Sequence, residues 1–257
     1  YENVEYEVVD RIAVLRLNRA PVNALSLDFV NEIIAALRQA GEDDGVRTVV
    51  IASALDATFC AGLDLSVVKG VDGEGMRGFL ERLYFELNDV QYRLGKPSIA
   101  AVEGAARAGG MTVAVSCNMI IAGESATFGY PEINVGLIPA LHFVHLPRMA
   151  GRHRAFEYLF TGDDFDAEVA RDLGIVNHVV PAGQAVKKAR EIVAEMAKNG
   201  PLGIMMSKLS INRGMDQSRF NGFLGEGDLA HMLTFSEDRP EGLKAFKERR
   251  QAKFKGQ

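Results

Sequence analysis

Three short runs constrain this chain most: "VRTVVIAS" (46–53), "PSIAAVEG" (97–104) and "NMIIAG" (118–123). The first is almost continuously apolar and rich in β-branched residues, which marks a strand buried on both faces. Strand signals at 98–103 and 118–123 repeat the theme, with helical periods between them. "SLDFVNEIIAALRQAGEDD" (26–44) keeps Phe29, Ile33 and Ala36/Leu37 at helical spacing behind a Ser26 N-cap. A helix is expected from about 77 to 94 and another from the glycines at 109–110 to 117. Strands alternating with helices give an α/β fold. "VEYEVVDRIAVLRLN" (4–18) adds two strands around an Asp10-Arg11 turn. "ATFCAGLDLSVV" (57–68) reads as a loop, and "VKGVDGEG" (68–75) as a mobile one.

The second half changes character. After the loop "GYPEINVGLIPAL" (129–141), helical patterns take over at 185–199, 203–213, 216–234 and 238–253, with no strand candidate beyond about 196. An α/β core over 1–195 and a helical C-terminal region over 196–257 follow. A chain of 257 residues can bury a core of that size. Its net charge of −5 argues against nucleic acid as a partner, and the helix 26–44 carries five acidic residues against Arg38 alone. Cys60 and Cys117 are too few for a zinc site and read as buried free thiols of a reducing, cytoplasmic setting. No apolar stretch reaches about 18 residues, and the acidic, alternating N-terminus is unlike a signal peptide.

The stretch "ARAGGMTVAV" (106–115) joins a strand to a helix through Gly109 and Gly110. Such a joint aims backbone N–H groups at negative charge. Around it lie "LNRAPVNALS" (17–26), "FCAGLDL" (59–65), "KPSIAAVEGAARAGG" (96–110), "ATFGYPEINVGLIP" (126–139), "TGDDFDAEVARDLGIVNHVVP" (161–181) and "SEDRPEGLKAFKERRQAKFKGQ" (236–257). In this order the chain resembles the crotonase superfamily, the enoyl-CoA hydratases and isomerases, over nearly its whole length. The resemblance implies a spiral of ββα units forming two sheets. It also implies a C-terminal region used in trimers or in hexamers of paired trimers, and an acyl-coenzyme A thioester as substrate without a bound cofactor or metal.

It further implies two backbone donors for a thioester enolate oxygen, the amides of Leu63 and Gly109, each worth about 2.7–4 kcal/mol in such a role. Gly62 beside Leu63 and the helix opening at Gly109 suit that task. Related hydratases place two glutamates around one water; here Glu132 matches one position and Thr112 the other. A hydroxyl does not ionise near neutral pH but can hold a water or a substrate oxygen. One carboxylate suits a proton moved along the acyl chain, so double-bond isomerisation is the first expectation. Hydration or hydratase-lyase chemistry on an aromatic or branched enoyl-CoA, and a non-catalytic CoA-binding role, are the alternatives.

His142 and His145 fall on one helical face where relatives are glycine-rich, and His142 is expected to join Glu132. By resemblance Arg19, Val22, Ala24, Ala61, Asp64 and Leu65 line the CoA and acyl sites, and Phe246 and Arg249 reach the adenine and phosphates, often of a neighbouring subunit. Asp64 is expected to hydrogen-bond locally, and Arg107 to meet a carboxylate, a CoA phosphate or solvent.

Overall fold

The computed structural model describes residues 1–66 and 72–257. Strands β1 (Val4–Val9), β2 (Ile12–Leu17), β3 (Thr48–Ser53), β5 (Ser98–Val102), β7 (Met119–Gly123) and β10 (His178–Val180) form a sheet in the order β1-β2-β3-β5-β7-β10. Within this sheet, among the described residues, only β1 and β2 pair antiparallel, around Asp10 and Arg11 at φ 53° and 64°. A second sheet runs β4 (Thr58–Cys60), β6 (Ala105–Arg107), β8 (Thr127–Gly129) and β9 (Phe165–Asp166).

The runs that read as doubly buried strands are so. Ala13, Leu15, Val49, Ile51, Ala100, Val102, Ile120 and Ala122 enter one apolar core. Their alternate neighbours Val14, Val50, Ile99, Ala101 and Ile121 enter a second. A period of two therefore serves two cores at once. Helix α1 (Leu27–Glu42) closes the first with Phe29, Ile33, Ile34 and Leu37, and its N-terminus is capped by Ser26 Oγ, which accepts from the Phe29 amide at 3.2 Å. A helix over Ala185–Met196 covers the second core with Ala185, Ala189 and Val193.

Several expectations are corrected. The stretch 57–68 contains β4, and β6 stands between β5 and the glycine joint. Three-residue strands carry too little periodicity to be read alone; their partners define them. Part of the segment expected to be mobile lies outside the described residues. The remainder is ordered by Asp72, whose carboxylate accepts from the Gly75 amide and starts helix α2 (Gly73–Leu80), four residues earlier than expected. The loop at 129–141 holds a 3₁₀ turn, Pro131–Val135. Beyond Met196 come helices Pro201–Asp216, Arg219–Leu233 and Asp238–Glu248, the last ending five residues short of the expected 253 with Arg249 in the left-handed region. Among the described residues no helix is long and apolar enough to cross a membrane.

Candidate active site

Strand β6 ends at Arg107. Ala108 turns the chain at φ 49°, ψ −119°, and helix α3 (Gly109–Ser116) begins. As the first helical residue, Gly109 has an amide with no intrahelical acceptor. Alongside, the chain leaving β4 pairs with residues 22–25. The Ala61 amide donates to the Val22 carbonyl at 3.0 Å, Leu25 to Gly62 at 2.7 Å and Asp64 to Leu25 at 3.0 Å. Leu63 lies between these bonds, and its own amide has no backbone acceptor among the described residues.

The two free amides are neighbours because glycines let their backbones touch. Gly62 has φ +93°, and a Cβ there would come within 2.9 Å of the Arg107 carbonyl and 3.2 Å of the Gly109 nitrogen. A Cβ on Gly110 would land on the Cys60 carbonyl oxygen, and one on Gly109 would press Leu25 at 2.9 Å and Leu83 at 3.2 Å. The joint thus presents two adjacent N–H donors at a helix N-terminus, where the helix dipole adds about half a positive charge.

Asn23, a residue sequence reasoning passed over, holds this rim. It is fully buried at φ 51°, and its amide nitrogen lies 2.9 Å from both the Ser53 hydroxyl and the Phe59 carbonyl. Its Oδ1 accepts from the Arg19 amide at 2.7 Å. The signal was present in "PVNAL", since asparagine tolerates the left-handed region. We expect Asn23→Ala to cost about 2–3 kcal/mol in chemical denaturation, because it strands buried carbonyls and strains the turn.

The other residues expected at the site divide into groups. Arg19 pairs with Asp64 at 2.9 Å and donates to the Ala24 carbonyl at 2.6 Å. Asp64 accepts from the Ser66 amide and hydroxyl, and that hydrogen bonding, with Arg19, holds its carboxyl below the usual range. The local role expected of Asp64 is what the structure contains. Val22, Ala24, Ala61 and Leu65 line the same rim, with Val22 and Leu65 exposed. Arg107 meets Asp164 at 2.6 Å and Thr127 at 2.9 Å, so its partner is a carboxylate. Phe246 and Arg249 face outward from the end of the last helix.

Glu132 sits in the 3₁₀ turn after Tyr130. Its carboxyl is part-buried, Oε2 has no hydrogen-bond partner among the described residues, and burial raises its pKa. Thr112 is fully buried and its Oγ1 lies 3.2 Å from His142 Nε2. The His142 ring packs on Tyr130 at 4.5 Å and on His145 at 6.1 Å. Both histidines stand on one side of helix α4 (His142–Ala150), as their spacing predicts. The Thr112 hydroxyl, expected to hold a water or a substrate oxygen, is instead closed off by an imidazole.

Burial first, and His145 second, push His142 down to about 3, and burial with Arg148 pushes His145 to about 4. Both rings are therefore neutral at neutral pH. The unfolded chain protonates near the ordinary 6.5 and the folded one does not, so stability falls as pH drops from about 6.5 towards 4. We expect denaturant midpoints to fall across that window, and the fall to be shallower in His142→Gln.

A cavity of about 1310 Å³ lies elsewhere, between Val115, Cys117 and His145 on one side and the C-terminal helices on the other. It includes neither Leu63, Gly109 nor Glu132. The joint is the candidate site because two free backbone donors meet there at a helix N-terminus; burial also shifts His145, Cys117 and Lys208 in the lining of the cavity.

The sequence pattern of the enoyl-CoA hydratase/isomerase family matches residues 7–257. This chain belongs to that family. The crotonyl-CoA hydratase of Syntrophomonas wolfei is 33% identical over 99% of this chain and 98% of its own. The methylglutaconyl-CoA hydratase of Mus musculus is 33% identical over 96% of this chain and 80% of its own. A crystal structure of the enoyl-CoA hydratase from Bacillus anthracis superposes with a TM-score of 0.94 at 32% identity, covering 99% of this chain and all of that one. The two sheets and helical C-terminal region are thus the crotonase fold, and the enoyl-CoA hydratase/isomerase family is a family of enzymes acting on acyl-CoA. Within that frame the Thr112–His142 pair and the phenols of Tyr84 and Tyr130, whose hydroxyls the charge of Glu132 raises after burial, are features that motif reading passed over.

Proposed function

We propose that this enzyme moves a double bond in an enoyl-CoA, with the Leu63 and Gly109 amides holding the thioester oxygen and Glu132 carrying the proton. The carrying observation lies at the position that matches a second glutamate in related hydratases: Thr112 is fully buried and bonded to His142 at 3.2 Å. With that hydroxyl engaged, one carboxylate remains to take a proton from one carbon and return it to another. The substrate is a CoA thioester, and the residues of the 19–25 and 61–65 rim are its contacts.

Incubation with 3-enoyl-CoA and 2-enoyl-CoA, following the conjugated-thioester absorbance, tests the reading. Gain of conjugation from the 3-enoyl substrate supports isomerisation. Loss of conjugation with uptake of water supports hydration, the reading favoured by relatives named as hydratases. Unchanged absorbance across an acyl-CoA panel with retained binding supports a CoA-binding role.

We further propose that the chain works as a trimer or a pair of trimers. The helical C-terminal region exposes Phe220, Phe223, Phe235, Leu243 and Phe246, apolar side chains that a partner subunit would cover. In that assembly Phe246 and Arg249 serve a neighbouring subunit's CoA. Sedimentation as a monomer at micromolar concentration refutes it.

A further inference from the structure

Helices α3 and α4 touch along two stripes. On α3, Gly109, Thr112 and Ser116 stand at spacings of three and four, which puts them on one side of the helix. On α4, His142 and His145 share a side in the same way. The middle of the first stripe meets the start of the second: Thr112 Oγ1 lies 3.2 Å from His142 Nε2, and both side chains are buried. Beyond that rung the stripes part. Val115 and Ser116 on α3, with Leu141 and His145 at α4, line the cavity of about 1310 Å³ that continues under the C-terminal helices. Farther in, Met149, Met196 and Leu202 give it an apolar wall.

The Thr112–His142 contact therefore separates two spaces. Three residues back along α3, about 4.5 Å of helix axis, is the free amide of Gly109. Three to four residues onward is the cavity. Neither Thr112 nor His142 lines that cavity, but the next residues on each one's helical face do. Tyr130 is the other large ring here, fully buried and 4.5 Å from the His142 ring. Neither it nor any residue of the 3₁₀ turn Pro131–Val135 lines the cavity. With Tyr130 removed, the Nε2 contact to Thr112 would still stand between the joint and the cavity; with His142 removed, nothing of that contact would remain.

We propose that His142 is a specificity-determining residue: its ring closes the joint off from the cavity and restricts the substrate to a short-chain acyl-CoA. The inference rests on the proposed binding of a CoA thioester at the Leu63 and Gly109 amides. An acyl chain that leaves those amides along α3 meets the imidazole within one turn of helix. The ring is 1% exposed and packed between Thr112 and Tyr130, and a packed interior leaves no gap for a chain to thread. Once the ring is gone, each further methylene of a longer chain would pass from water to the apolar wall of the cavity, so affinity should climb with chain length.

The test uses two saturated thioesters, butyryl-CoA and decanoyl-CoA, which bind without turnover, and measures their affinities for the full-length protein by calorimetry. We expect the wild type to hold butyryl-CoA at least as tightly as decanoyl-CoA. His142→Ala should raise the decanoyl-to-butyryl affinity ratio by about 10²-fold. His142→Ser, a second opening variant that keeps a hydroxyl for Thr112, should shift the ratio the same way and guards against loss of the fold in the first. His142→Gln, which refills the space and still meets Thr112, should keep the wild-type ratio. A wild type that prefers decanoyl-CoA overturns the inference, as does an unshifted ratio in either folded opening variant while butyryl-CoA still binds. Failure of both thioesters to bind the wild type refutes the thioester reading of the joint and the inference with it. A shifted ratio in an enzyme that moves no double bond upholds the role of His142 and refutes isomerisation alone.

Discussion

Glu132→Gln should lower kcat for double-bond migration by about 10³-fold, within the range for loss of a general acid–base. Binding of the acyl-CoA should change little, because the amides of Leu63 and Gly109 remain. The same substitution should leave the fold as stable or more so above neutral pH. Burial raises the Glu132 pKa, so the folded protein holds that proton more tightly than the unfolded chain does. Stability from this group is therefore present at low pH and is lost as pH rises through the folded pKa. Glutamine removes that loss. Stopped-flow absorbance and denaturation at pH 6 and pH 8 measure both effects, and activity within tenfold of wild type would sink the assignment.

Gly110→Ala should damage both fold and activity. Its methyl group would come within 2.1 Å of the Cys60 carbonyl oxygen, and neither β4 nor helix α3 can yield without separating the free amides of Leu63 and Gly109. We expect a stability loss of about 3 kcal/mol and a fall in kcat/KM of about 10²-fold from misplaced donors. Gly78→Ala is the contrast. It lies inside helix α2 with nothing within 4 Å of the added carbon, and should stabilise the fold by about 0.5–1 kcal/mol. Comparable losses in both variants would refute the close-contact argument.

The long elements were readable because their periodicity is written into contiguous residues. β3 and α1 show it: one is buried throughout except its last residue, and the other buries the stripe that spacing marked. The short strands β4, β6 and β8 were not, since three residues carry no period and their pairing partners lie tens of residues away. The site followed the same division. Gly62, Gly109 and Glu132 stand in contiguous motifs and were legible. Thr112 and His142 are 30 residues apart, and nothing local in either segment reports that one covers the other.

Ala108 adds a last consequence. An alanine at φ 49°, ψ −119° sits where L-residues carry a backbone penalty of about 1–3 kcal/mol. Its carbonyl accepts from the Thr112 amide at 3.2 Å, which fixes the peptide plane carrying the Gly109 N–H, and its own amide donates to the Gly129 carbonyl at 3.1 Å, which fixes the plane before it. The direction of that donor is settled when the chain folds, not when the ligand arrives. Reorganisation that a solvent-exposed amide would undergo at the moment charge develops has already been completed, and an enolate oxygen formed there in the proposed reaction would meet a dipole that does not have to turn.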